Sequence, residues 1–155
     1  MAGGSVFVKE IVRVPGLEET AEFGYSQCVR AGPLVFIAGQ CGLNERHEVV
    51  SSDFLEQART ALDRVHAAVR AAGGTLGDIV AMTVFLTDTS LGRIFTALRR
   101  EYFGGDFPAS ALIGVHSLMP TGAMIEIQAI AVLGASGQPN PTGGPNDCGR
   151  RGFRP

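Results

Sequence analysis

The chain has 155 residues, 45% hydrophobic and 18% charged, which suits one ordinary soluble globular domain with a real core. A formal charge of −2 and a pI near 5.9 argue against non-specific nucleic-acid or anionic-membrane binding, which needs a basic footprint. Cys28, Cys41 and Cys148 form neither a CxxC nor an even framework, and the start MAGGSVFVKE lacks a long apolar run. Reduced thiols, no signal peptide, no spanning segment and a cytoplasmic location are therefore expected.

In chain order, Val6–Val14 suits a first strand, and Gln27–Ala31 with Leu34–Gly39 a hairpin about Gly32-Pro33. Ser51–Ala72 is the clearest helix, capped by Asp53 with Glu56 at capping-box spacing or equally by Ser52. Its stripe is Ala58, Ala61, Leu62, Val65, Val69 and Ala72; Gly73-Gly74 ends it, and His66 lies off the stripe, where solvent is expected. Ile79–Leu86 reads as a buried strand. Leu91, Ile94, Phe95, Leu98 and Tyr102 mark a second amphipathic helix, stopped at Gly104-Gly105. Two strands follow, Ala109–His116 and Met124–Leu133, joined by a turn at Pro120-Thr121-Gly122. Residues 1–134 thus form one domain, and the Gly/Pro/Asn-dense residues 135–155 read as a disordered tail. Arg150, Arg151 and Arg154 around Phe153 would make that tail either a docking peptide or idle.

The order β-β-β-α-β-α-β-β lets both helices cover one face of a single mixed sheet, an α+β fold. On the last strand Ile125, Ile127, Ala129 and Ala131 share one face, and Met124, Glu126, Gln128, Ile130 and Val132 the other. Both sets are largely apolar, and no helix remains for the second, so a homo-oligomer that stacks these faces is expected.

Glu126 is the only carboxylate between Phe107 and Leu133. Burying it costs several kcal/mol unless something answers the charge. Two readings stand on the residues alone: an edge-strand Glu facing water, or a functional group in a pocket. GxGxxG, P-loop, HExxH and GxSxG patterns are absent, and His47, His66 and His116 are scattered. No metal and no cofactor are expected. Cys41 reads first as a small buried hydrophobe and second as a reactive thiol.

Several blocks together resemble the Rid family, also called YjgF/YER057c/UK114, of enamine and imine deaminases. They are Gly24-Tyr25-Ser26-Gln27, Leu34 to Gln40 (LVFIAGQ), Gln57 to Leu62 (QARTAL), Ala72-Gly73, Asp78-Ile79-Val80, Phe107-Pro108-Ala109 and Ile125 to Ala131 (IEIQAIA). Each is weak alone; in this order, across residues 6–133, they are specific. The resemblance implies a chorismate-mutase-like six-stranded sheet backed by two helices. It also implies a homotrimer with small-molecule clefts between subunits, and hydrolysis of short-lived enamines or imines to a 2-oxo acid and ammonia. Glu126 would activate the attacking water, help typically worth about 10²–10⁴-fold. Tyr25, Ala38, Gly39, Thr96, Ser110 and Leu112 would line the substrate.

Ser110 stands where the family's carboxylate-gripping arginine is implied, Ala38 where Ser is common, Leu112 where Cys is common, and Thr96 where Asn is common. Serine cannot neutralise a carboxylate, so the substrate expected is not a simple free 2-imino acid. Arg30 and His116 are the candidate substitutes; nothing in the sequence places Arg30 in the cleft, and His116, set on the strand face of Ser110 by an even spacing if no bulge intervenes, reads first as a structural histidine and second as a site residue. The alternative is a non-catalytic metabolite-binding or regulatory trimer. Retention of Glu126 favours the enzyme, and loss of the arginine favours the binding module. RNA cleavage is disfavoured by the acidic balance.

Overall fold

The computed structural model describes residues 6–138. Its elements are β1 (Lys9–Ile11), β2 (Cys28–Ala31), β3 (Leu34–Cys41), α1 (Phe54–Ala71), β4 (Ile79–Leu86), α2 (Gly92–Phe103), β5 (Ala109–Gly114) and β6 (Ile125–Val132). They build one six-stranded sheet in the order β1-β2-β3-β6-β4-β5. All neighbours are antiparallel except β4 and β5, which are parallel and need the α2 crossover between them. The α+β architecture is the one expected.

The helices begin and end where their residues demand. Asp53 caps α1 by accepting the Glu56 N–H at 2.9 Å. At the other end Gly74 donates to the Val69 carbonyl and Gly73 to that of Arg70, each at 2.9 Å, with Gly73 at φ 90°. Between these ends Ala58, Ala61, Leu62, Val65, Ala68 and Val69 are buried and form one core with Val35, Ile37, Ile125, Ile127, Ala129 and Ala131. The small alanines let α1 lie close to the sheet.

Four local expectations change. The first strand shrinks from Val6–Val14 to Lys9–Ile11, because Pro15 and Gly16 (φ 81°) make a turn in which Leu17 donates to Val14, whose side chain is buried in the core. His66 is half-buried rather than solvated: α2 crosses α1 there and sets the Tyr102 ring edge-on at 6.3 Å. Burial lowers the imidazole pKa. Ile94 is 43% exposed, since α2 offers only Phe95 and Leu98 fully to the core. Finally, the chain does not leave the body at Gly134. Ser136 N–H donates to Asp78 Oδ1 at 2.9 Å, while Asp78 Oδ2 accepts from the Thr75 N–H at 2.8 Å. The rest of the expected tail, 139–155, with Arg150, Arg151, Phe153 and Arg154, lies outside the described residues.

Among the described residues no helix covers the second sheet face. Leu34, Phe36 and Ile113 are exposed on it, beside the half-buried Ile130 and Val132, whereas Met124, expected on this face, packs against the core.

Candidate functional site

β6 lies between β3 and β4, so Glu126 is on a central strand and the edge-strand reading fails. Its cross-strand neighbours are Cys41 on β3 and Phe85 on β4. The side chain is half-buried on the open sheet face. No Lys, Arg or His approaches it as an ion pair among the described residues. Its one hydrogen-bond partner there is the Cys41 thiol, whose Sγ lies 3.5 Å from Oε2. Burial first, and the Glu126 charge second, push the Cys41 pKa up to about 12. A thiol so hard to ionise donates a hydrogen bond and is no nucleophile. Cys28, fully buried, is pushed up to about 11 by burial alone.

The carboxylate has room because of the backbone beneath it. β3 shifts register against β6 between Ile37 and Gln40, leaving Ala38 and Gly39 in a bulge. A Cβ on Gly39 would collide with Glu126 Oε1 and would stand 2.7 Å from Cδ. Gly39 is therefore the seat of the carboxylate. Ala38 holds the bulge through its carbonyl, which accepts from Gln40 Nε2 at 3.1 Å.

Tyr25 enters from the loop before β2, where the Thr20 hydroxyl donates to its carbonyl at 2.9 Å. Its phenol pKa is raised by burial, then by the charge of Glu18, with Glu126 contributing as well.

Below this wall runs a buried polar relay that the sequence reading missed. Arg64 donates to both Glu18 oxygens at 2.7 and 2.8 Å, and its Nε to Gln40 Oε1 at 3.0 Å. Gln40 Nε2 donates in turn to Gln27 Oε1 at 2.7 Å. Burial alone would raise the Glu18 pKa, but hydrogen bonds and the Arg64 charge win and hold it below the usual carboxylate range. The Gln27 Nε2 has no partner among the described residues, and Gln27 lines a cavity of about 340 Å³ with Leu17, Glu18, Thr20 and Tyr25. The available signal was Arg64 itself: it sits between Ala61 and Ala68 within the buried stripe of α1. Gln57 is a similar case. Fully buried, it donates to the Ser51 and Gly122 carbonyls and accepts from Met124 N–H, tying the turn before β6 to α1.

Thr96, Ser110 and Leu112 lie elsewhere. Ser110 pairs with Met82, which faces the helices, whereas Glu126 pairs with Phe85 on the open face. Met82 and Phe85 are three positions apart, an odd spacing, so within one chain Ser110 and Glu126 are on opposite sheet faces. Leu112 packs toward the start of α2, and Thr96 returns its hydroxyl to the Gly92 carbonyl at 2.9 Å. The cation on this wall is one that the sequence reading did not name: Arg99 Nη1 donates to Ser110 Oγ at 2.6 Å. Arg30 instead donates to the Gly32 carbonyl, on the far side of the sheet order. His116 is exposed and falls beyond the end of β5 at Gly114, so the strand-face relation to Ser110 does not arise. β5 is itself an edge strand exposed along its whole length.

Among the described residues no His, Cys, Asp and Glu group could hold a metal ion, and no helix is long and apolar enough to cross a membrane.

Comparison with known proteins supplies relatives for this arrangement. The family model described as Endoribonuclease L-PSP matches residues 17–133. A RutC family protein of Pyrococcus horikoshii is 38% identical over 108 residues, which is 69% of this chain and 85% of the relative. A 2-iminobutanoate/2-iminopropanoate deaminase of Homo sapiens is 34% identical over 111 residues, 71% of this chain and 80% of the relative. Among solved structures, a YjgF/YER057c/UK114 family member from Mycobacterium tuberculosis superimposes with a TM-score of 0.71 at 33% identity, covering 81% of this chain and all of that one.

Proposed function

The chain belongs to the Endoribonuclease L-PSP family, the Rid or YjgF/YER057c/UK114 family of the sequence resemblance, and on that premise we propose that it is a deaminating hydrolase of reactive enamines and imines. The relatives named as deaminases support the reaction class. The observation that carries the reading is the Glu126 carboxylate. It is placed on a central strand, seated over Gly39, given a neutral thiol as its partner and left without a counter-cation among the described residues. A structural carboxylate at such a place would be paired; one that must accept a proton is better left free.

The chemistry follows from that placement. A water held by Glu126 attacks the C=N carbon and gives its proton to the carboxylate, which passes it to the nitrogen to leave a carbinolamine. Glu126 then moves the hydroxyl proton to the amine in the same way, so that the C–N bond breaks, ammonia leaves, the C=O bond forms and the carboxylate is regenerated. An enamine first takes a proton on carbon and gives one up from nitrogen to become the imine. The Cys41 thiol fixes the rotation of the carboxylate, and the Tyr25 hydroxyl closes the same wall.

Glu126 and the wall of Ser110, Thr96 and Leu112 lie on opposite faces of one chain, so a site that uses both needs a second copy. The uncovered apolar face and the exposed edge strand β5 favour that assembly, which we take to be a homotrimer with its ligand clefts between subunits. The second reading, a metabolite-binding trimer without turnover, is favoured by Ser110 at the arginine position.

One experiment separates the two: a coupled assay in which 2-iminobutanoate is generated in situ and its hydrolysis followed with wild type and Glu126→Gln. The hydrolase reading expects kcat to fall by about 10²-fold or more in the variant with KM little changed. No acceleration by wild type leaves the binding module, and equal accelerated rates in the two proteins remove Glu126 as the base.

A further inference from the structure

Arg99 is a guanidinium held in place with no ion-pair partner among the described residues. Its Cζ stands 5.5 Å from the centroid of the fully buried Phe95 ring, one helical turn earlier on α2. Its Nη1 donates to Ser110 Oγ across to β5. Those two contacts fix the plane of the group. No carboxylate reaches it among the described residues, and its remaining N–H groups have no partner there. The side chain is half-buried, and burial is the cause that lowers its pKa. A surface arginine that merely solvates its helix needs neither the ring nor the hydroxyl.

Ser110 gains a second role from the same bond. Its oxygen is occupied as an acceptor from Arg99, which leaves the hydroxyl proton free to donate outward. Arg99 N–H and Ser110 O–H then make two adjacent donors, one of them charged. Thr96, three residues before Arg99 on the same helix, and Leu112, two residues beyond Ser110 on the same strand face, flank the pair.

We infer that Arg99 and Ser110 together form an anion subsite that grips the carboxylate of a small substrate, with α2 supplying the guanidinium that the strand position lacks. A single planar fork beside one hydroxyl matches a carboxylate, whereas a phosphate dianion calls for a second cation or a backbone nest. This rests on the hydrolase reading only in taking the carboxylate to be that of the imine. It reverses the substrate restriction expected from Ser110 alone, and free 2-imino acids become substrates.

Titration calorimetry on the full chain tests it without turnover. The ligands are 2-oxobutanoate, which is the hydrolysis product, its uncharged amide, and inorganic phosphate. The proteins are wild type, Arg99→Gln, Arg99→Lys and Ser110→Ala. Arg99→Gln should weaken 2-oxobutanoate binding about tenfold to a hundredfold and leave the amide unchanged. Arg99→Lys should recover part of the loss, and Ser110→Ala should lose less than Arg99→Gln. The inference is overturned if wild type and Arg99→Gln bind 2-oxobutanoate alike, if wild type does not bind it, if acid and amide weaken together, or if phosphate binds as tightly with the same dependence on Arg99. Turnover of 2-iminobutanoate is measured alongside. Arg99-dependent binding without hydrolysis sinks the hydrolase and keeps the subsite. Hydrolysis by Arg99→Gln at wild-type kcat/KM sinks the subsite and keeps the hydrolase.

Discussion

Gly39→Ala is the smallest change that reaches the proposed chemistry without touching the carboxylate itself. The added methyl would overlap Oε1 and lie 2.7 Å from Cδ and 3.0 Å from Cγ of Glu126. Comfortable carbon contacts begin near 3.5 Å, so the carboxylate must withdraw by about 1 Å. Glu126 is half-buried and open on one side, so its side chain gives way before the β3 backbone does. The stability cost should therefore sit at the low end of overpacking, about 1 kcal/mol, or a few degrees of melting temperature. The catalytic cost should be much larger, since a reacting group misplaced by about 1 Å loses on the order of 10²-fold. The assay is kcat for 2-iminobutanoate hydrolysis beside a thermal melt. Glu126→Asp in the Gly39→Ala background shortens the side chain away from the methyl and should recover part of the rate. A Gly39→Ala protein with wild-type kcat and melting temperature would refute the seat. So would one that loses rate only in proportion to a large drop in stability.

Arg64→Ala should destabilise by about 3 kcal/mol, read as a large fall in the urea midpoint, because it leaves Glu18 with only the more distant His47 at 3.6 Å and Gln40 Oε1 without its donor. The stability of wild type should fall in acid: folding holds the Glu18 pKa below its ordinary 4.5, so its contribution is complete above that value and lost as pH drops through the folded one. In Glu18→Gln the gap in melting temperature from wild type should therefore close on going from pH 7 to below 4.5, leaving Asp78, also lowered, to carry the remaining slope; a constant gap would show that the pairing is not what matters. Light scattering at micromolar concentration should give the mass of three 16.3 kDa chains, and a monomer would remove the site that needs two copies.

The elements were legible because periodicity reports which residues a helix or strand buries. The β6 alternation separated Ile125, Ile127, Ala129 and Ala131 from Glu126 correctly, and the glycine pairs marked both helix ends. Periodicity also hid things, and always in one way. It assigns a polar side chain to solvent by type, so it gives no sign that Arg64 is paired inside the buried stripe, and it sends His66 to water although α2 covers it. Residue type cannot say that a charge has a partner from another element; only tertiary packing does.

The candidate site turns on the same limit. Whether Ser110 and Glu126 share a face depends on the register of β5 against β4, and a helical crossover does not fix that register to one residue. A shift of one would have brought both to the open face. The observed register turns Ser110 toward α2 instead, and there it meets Arg99, a contact set by the rotation of α2 about Phe95. Comparing position 110 alone therefore suggests a lost cation, while the packing puts a guanidinium beside the serine hydroxyl. What matters to a bound carboxylate is where donors converge, and two elements can deliver them as well as one.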